Sequence, residues 1–349
     1  MRRSSIFSSK TLESWPRLTA PAWGALAIFV AARLALLTEP DAFLTVAELE
    51  SQHQYMTVEA LHRLSDKPAP RVIVAGTSRF GALPTDCLAK QLGCAPDEIA
   101  NYSRAGNTFW RMLAFFRRNP SAMEDLDLLL IDLLPFQLYR GPIFTETDPL
   151  FLALANAKDR SRIDSMSTRI EAWADLAVPY VTQRRRVVGW CDAFSRLAQG
   201  GTAPYEAFQM TPVPEGQSDP WLERSGENLT PEMMATYAPG IVQSAVQAGA
   251  LEELRALLPE RARLVLVWPP VREDFLENLS HPGRGYFEMK TFLENNAPGC
   301  EVIWIESPSE WNLTRNDYVD VVHYTPSGFE KVCAHLGGTL GRLANPDQQ

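Results

Sequence analysis

The chain has 349 residues, 46% of them hydrophobic and 21% charged, which is enough apolar material for a globular core and argues against wholesale disorder. Its formal charge of −9 is unevenly spread. Within the first 38 residues Arg2, Arg3, Lys10, Arg17 and Arg33 stand against Glu13 alone, so the remainder carries −13, the difference between −9 and +4. An acidic body of this kind repels phosphate backbones and argues against nucleic acid as a partner.

Residues 20–38 are mostly apolar and about as long as a bilayer is thick. With the basic leader of residues 1–19 before them, they predict a signal anchor whose N terminus is cytoplasmic, ahead of a cleaved signal peptide or a peripheral helix. Arg33 interrupts the run near its far end, where a long side chain can snorkel to the headgroups. Residues 39–70 read as a polar helical neck ending at Pro68-Ala69-Pro70, because proline disfavours further helix.

From Arg71 onward, strands and helices alternate. Arg71-Val72-Ile73-Val74-Ala75 predicts a first strand. Residues 84–92 predict a helix with Pro84 at its start and Gly93 past its end, and residues 98–103 a second strand. Asn107 is placed to cap a helix reaching Asn119, whose Phe109, Trp110, Met112, Leu113, Phe115 and Phe116 give it a broad apolar face. Residues 127–132 read as a buried third strand, 263–268 and 301–305 as the fourth and fifth, and Pro326 opens a closing helix to about 343. Short apolar strands separated by helices predict an α/β fold with a parallel sheet covered on both faces. Between the third and fourth strands lies a long insertion, about 136–260, far more than a crossover needs. Its stretch 160–198 has helical composition and includes Gln183-Arg184-Arg185-Arg186, and 200–230 is rich in Gly, Pro and Ser. The arginine run reads first as a solvated helix face and second as a holder of an anionic glycan or lipid headgroup.

Five cysteines (Cys87, Cys94, Cys191, Cys300, Cys333) form no Cys-x-x-Cys pair, which argues against a structural zinc site, and no motif calls for a metal or other cofactor. In an oxidising compartment Cys87 with Cys94, or Cys300 with Cys333, are candidate disulfides, and buried free thiols are an equal alternative.

Chemistry gathers at two places. Gly76-Thr77-Ser78 follows the first strand directly, where an open α/β sheet usually carries its site, and Asp320-Val321-Val322-His323 precedes the closing helix. A neutral hydroxyl is a poor nucleophile. It needs a histidine to take its proton and a carboxylate to hold that histidine in one tautomer, so Ser78, His323 and Asp320 are the candidate catalytic residues of an esterase or acyltransferase. Each singled-out residue also has a plainer reading. Ser78 fits a turn hydroxyl, Gly106 a tight turn, Asn107 an N-cap, and Asp132 a strand-end cap rather than a catalytic acid. Arg79 fits a structural ion pair better than a ligand for a substrate carboxylate.

These motifs resemble the SGNH/GDSL hydrolase superfamily. Gly76-Thr77-Ser78 stands where that superfamily has Gly-Asp-Ser, Gly106 in Asn101-Tyr102-Ser103-Arg104-Ala105-Gly106-Asn107 matches its second-block glycine, and Asp320-Val321-Val322-His323 matches its final Asp-x-x-His. The likeness covers roughly 71–135 and 262–345. It implies a three-layer α/β/α, flavodoxin-like domain over 71–345 with about five parallel strands, and an oxyanion site built from Ser78, Gly106 and Asn107. One block departs: the third-block Gly-x-Asn-Asp is replaced by Ile131-Asp132-Leu133-Leu134-Pro135, which lacks the asparagine. Such departures, together with an N-terminal anchor, resemble the membrane-anchored SGNH-like proteins that accompany membrane-bound O-acyltransferases. That branch implies acyl transfer, acetyl above all, to a cell-envelope or secreted polysaccharide, by a body outside the cytoplasmic membrane. An esterase of the same fold and a non-catalytic assembly subunit are the alternatives.

Overall fold

The computed structural model describes residues 69–104, 106–140, 144, 146, 151, 154–177, 242–279, 286–296 and 300–344, with four isolated helical positions at Trp23, Gly24, Ala27 and Val30. The predicted anchor, apart from those four positions, and residues 39–68 of the neck lie outside the described residues, as do Gln183-Arg184-Arg185-Arg186 and Cys191. Among the described residues no helix is long and apolar enough to cross a membrane.

The fold is α/β, built on a five-stranded sheet whose strands are all parallel: β1 (Val72–Val74), β2 (Ile99–Asn101), β3 (Leu128–Asp132), β4 (Arg263–Trp268) and β5 (Glu301–Trp304), in the order β2-β1-β3-β4-β5. Central strands that are apolar at every position belong in a sheet covered on both faces. The alternation of side chains divides them between two cores. Ile73, Leu129, Ile131, Leu264, Leu266 and Trp268 point into one, against α3 (Phe109–Arg118) and α6 (Ala245–Leu257). Val72, Val74, Leu128, Leu130, Val265 and Val267 point into the other, against α2 (Thr85–Leu92) and α9 (Pro326–Ala344).

Several boundaries differ from expectation. The apolar helix starts at Phe109 with Thr108, not Asn107, as its cap: the Thr108 side chain accepts from the Arg111 N–H, while Asn107 turns back toward β1. The interval read as one long insertion returns to the sheet before residue 245. There α6 packs beside α3, with Gln247 Oε1 accepting the Trp110 N–H at 2.9 Å, so α6 is the crossover helix into β4. Ahead of it the insertion contributes α4 (Ala157–Ser161) and α5 (Met166–Ala177). Two further helices that the sequence reading left out, α7 (Glu273–Leu279) and α8 (Tyr286–Asn296), connect β4 to β5.

The disulfide also differs. Cys87 of α2 is bonded to Cys333 of α9 with Cα atoms 6.3 Å apart, so neither expected pairing occurs, and Cys94 and Cys300 are free. The bond joins two helices on one face of the sheet that are 246 residues apart in the chain.

Candidate active site

The sheet order reverses between β1 and β3, and the C-terminal ends of those strands open onto the crevice where such sheets bind ligands. Chain leaving β1 turns there under tight control. The Gly76 N–H donates to Ser103 Oγ (2.9 Å), and the Gly76 carbonyl accepts from the Arg104 N–H (3.0 Å) and the Asn107 side-chain amide (3.2 Å). Asp132, the last residue of β3, receives both the Thr77 N–H and the Thr77 hydroxyl, the latter at 2.6 Å. Only glycine fits at 76, because a Cβ there would lie 1.8 Å from Asp132 Oδ1. Thr77 then caps the short α1 (Ser78–Gly81), which leaves Ser78 at the first helical position with its side chain partly exposed.

The second turn is largely self-contained. Tyr318 and Tyr324 form an antiparallel bridge at its base, and the Val319 N–H donates to the His323 carbonyl at 2.9 Å. Within it Asp320 Oδ1 accepts the N–H groups of Val322 and His323, each at 2.7 Å, and Oδ2 lies 2.7 Å from His323 Nδ1. Val321 and Val322 between them are fully buried and seat the turn in the larger core. Burial alone would push the Asp320 carboxyl up, but the His323 ring and the two backbone donors outweigh it and hold Asp320 below its ordinary range. A carboxylate can only accept, so Nδ1 carries the proton and Nε2 is left as an acceptor. That Nε2 lies 2.7 Å from Ser78 Oγ. The structure thus brings Ser78, His323 and Asp320, up to 245 residues apart, into one hydrogen-bonded chain.

Arg79 requires a correction. It is completely buried, and its guanidinium binds Asp132 Oδ2 (3.1 Å), the Pro269 carbonyl (3.3 Å) and the Leu133 carbonyl, with its carbon 5.7 Å above the Trp268 ring. It is out of reach of any substrate and instead ties together the ends of β3 and β4 beneath the serine. Gly106 has φ = +64°, a conformation that a side chain would strain, and it sits with Asn107 on the loop bonded to Gly76. Asn107 spends one amide N–H on that bond.

The sequence reading put Arg79 in a structural ion pair and Asp132 at a strand end without joining them, and it overlooked Thr77 and Ser103, which bond into the same support of the serine turn. An aspartate closing an otherwise apolar strand, beside the glycine turn of a neighbouring strand, was the available signal for Asp132. Its partner is Arg79, for which an ion pair was the preferred reading. Tyr318 and Tyr324, whose hydroxyls both donate to the Pro270 carbonyl and fasten the Asp–His turn to the end of β4, were silent.

No known family model and no curated protein matches the chain. Among solved structures, one from Streptococcus pneumonia, provisionally described as a platelet activating factor, superposes over 90% of this chain and 99% of its own with a TM-score of 0.34 and 12% identity. At that level of superposition it carries no argument about the site.

Proposed function

We propose that the chain is a serine-dependent acyl-transfer enzyme of the SGNH/GDSL type. The observation that carries this reading is the continuous Ser78–His323–Asp320 hydrogen-bonded chain at the switch point of a parallel sheet. In the proposed mechanism Ser78 Oγ attacks the carbonyl carbon of an ester while its proton passes to His323 Nε2. Asp320 stabilises the imidazolium and keeps the ring oriented. The tetrahedral intermediate collapses, the leaving alcohol takes the proton from His323, and the acyl group stays on Ser78. A second hydroxyl, deprotonated by His323, then attacks the acyl-serine and regenerates the enzyme.

The negative oxygen of each tetrahedral intermediate needs donors. Of the four successive backbone N–H groups in the serine turn, Gly76 donates to Ser103, Thr77 to Asp132 and Arg79 to the Thr77 hydroxyl. The Ser78 N–H, first in its helix, is paired with no acceptor among the described residues. It is the first oxyanion donor in this reading, with the Gly106 N–H and the second amide hydrogen of Asn107 as the others, each contributing roughly 3 kcal/mol. These replace the third-block asparagine that the chain lacks.

The acceptor is proposed to be a hydroxyl of a cell-envelope or secreted polysaccharide, with acetyl as the acyl group, a membrane-bound O-acyltransferase as the donor partner, and a single-pass anchor at residues 20–38. The Cys87–Cys333 disulfide favours a body outside the cytoplasm, since such bonds persist in oxidising compartments. The decisive experiment has two arms. Wild-type protein should be labelled by a fluorophosphonate and Ser78→Ala should not; an unlabelled wild type would leave a non-catalytic assembly subunit. Supplying a small acetyl ester with envelope oligosaccharides should give acetylated sugars by mass spectrometry, whereas acetate release without any acetylated sugar would leave an esterase.

A further inference from the structure

A cavity lies beside the Asp–His turn, where the chain leaves β4 and β5. Its volume is about 320 Å³, within the roughly 300–1,000 Å³ of small-molecule sites. One wall is the start of α7 after β4, a second is residues 307–309 after β5, and a third is residues 313–315 with Tyr318. Two of its lining residues also support the catalytic base. Tyr318 closes the Asp–His turn against Tyr324, and the Arg272 N–H donates at 3.0 Å to the carbonyl of Val321, which lies between Asp320 and His323.

Some of the polar groups around the cavity are already occupied. The buried Arg272 forks onto Asp274 through Nε and Nη2 at 2.6 and 2.7 Å, so that pair neutralises itself and stiffens its wall. The hydroxyls of Thr314 and Tyr318 donate to Asp317 Oδ2 and to the Pro270 carbonyl. What remains is Glu273 and Glu277, four residues apart and so on one face of α7, and Arg315 on another wall. All three are exposed, and none of the three side chains is in a hydrogen bond or ion pair among the described residues. Free charges are ordinary on a surface. Here they share a cavity of ligand size with residues that support the base.

The mixture of signs selects the ligand. A cation seated there meets the Arg315 guanidinium, and an anion meets two carboxylates. The acids do not converge either, since among the described residues no three His, Cys, Asp or Glu side chains are grouped to hold a metal ion. A hydroxyl suits both walls: it donates one bond and accepts two, so adjacent hydroxyls of a sugar ring can satisfy the glutamates and the arginine together. Leu313 and Pro308 supply apolar surface for the ring carbons.

We propose that this cavity is a glycan subsite holding a neutral, hydroxyl-rich sugar unit of the acceptor, with Glu273, Glu277 and Arg315 as its hydrogen-bonding residues. This rests on the acyl-transfer reading of Ser78 and specifies the acceptor as a polymer whose held unit is uncharged. A chain seated there is held against the turn that carries His323.

The test measures binding rather than turnover, by isothermal titration of the full chain at low salt in a sugar-free neutral detergent. The neutral probes are maltotetraose, cellotetraose and tetra-N-acetylchitotetraose, against cationic chitotetraose and anionic tetragalacturonate. At least one neutral probe should bind wild type and Ser78→Ala alike, about tenfold or more tighter than either charged one. Glu277→Lys should turn the preference toward tetragalacturonate and Arg315→Glu toward chitotetraose, each weakening the neutral probe about tenfold. Near-UV circular dichroism checks that both are folded; if a charge reversal unfolds the chain, Glu277→Gln and Arg315→Gln, which should each weaken neutral binding severalfold, decide the case. Failure of every neutral probe to bind, tighter binding of a charged probe by wild type, or neutral binding unaffected in the folded variants would overturn the proposal. Fluorophosphonate labelling is read separately: sugar binding by an unlabelled wild type would bring down the acyl-transfer reading and leave the glycan site, and labelling without sugar binding would do the reverse.

Discussion

Ser78 is held in place by partners from distant stretches of chain, whereas Asp320 and His323 are held largely by each other. The serine turn draws on Ser103 after β2 and on Asp132 at the end of β3, and Asp132 in turn is balanced by Arg79, whose other bonds reach the end of β4. The Asp–His turn closes within seven residues, from Tyr318 to Tyr324, by bonds between its own backbone and the Asp320 carboxylate. The difference shows two ways to place a reacting group. A tight local turn fixes the relative position of acid and base, and a buried long-range network aims the hydroxyl at them. The Cys87–Cys333 bond then ties α2, the helix that follows the serine turn, to α9, the helix that follows the Asp–His turn.

The largest expected effect comes from breaking the local turn chemically while leaving its shape. Asp320→Asn retains an oxygen for the two backbone donors but presents no carboxylate to Nδ1, so His323 loses its tautomer, and kcat on a small acetyl ester should fall about 10⁴-fold. Activity within tenfold of wild type would show that the Asp320 charge is dispensable. Next is the bond behind both turns. Cys87→Ser should lower the urea-unfolding free energy by about 4 kcal/mol, because it releases a crosslink closing a very long loop, while Cys94→Ser, at a free cysteine, should change it little. Fluorophosphonate labelling should survive both changes; its loss in Cys87→Ser alone would mean that the crosslink also sets the site.

A smaller effect is expected from crowding the long-range network. Gly76→Ala drives a methyl group into Asp132 Oδ1, and the carboxylate has to leave Thr77 to admit it, at a cost of about 3 kcal/mol with a matching fall in labelling rate. An unchanged midpoint would place Asp132 outside the support of the turn. The mildest test is pH. The folded-state pKa of Asp320 is depressed, so its contribution to stability is present above the unfolded carboxyl value near 4 and is lost as pH falls through the lower folded value. The stability gap between wild type and Asp320→Asn should therefore close progressively as pH falls below about 5. A gap that widens toward acid would reverse the sign and contradict the bonding around Asp320.

How much of this was legible follows the same division. The apolar runs of β1, β3 and β4 announce buried parallel strands because both faces of such strands are covered, and strand boundaries were read to within a residue or two. Asp320 and His323 were readable as a unit because three residues of spacing suffice to join them. Arg79 was read as a structural ion pair ahead of a substrate ligand, but its partner Asp132, 53 residues away, could not be named because nothing in the order Ser78-Arg79 tells what the side chain meets in the core. Asn107 and Thr108 are both good caps, and Asn107 was taken for the cap although a bond to Gly76, 31 residues upstream, claims its side chain.

By itself, then, the sequence determined the α/β class, the parallel sheet and the short-range motifs, since hydrophobic periodicity and turn chemistry act over a few residues. Tertiary structure decided the rest. Packing on one face of the sheet chose Cys87 with Cys333 over the pairings suggested by nearness in the chain. Convergence of three strand ends made Asp132 and Arg79 the support of the serine turn. These outcomes depend on which distant backbone segments approach within a hydrogen bond of each other, and that distance is set by the packing of the whole sheet and its helices.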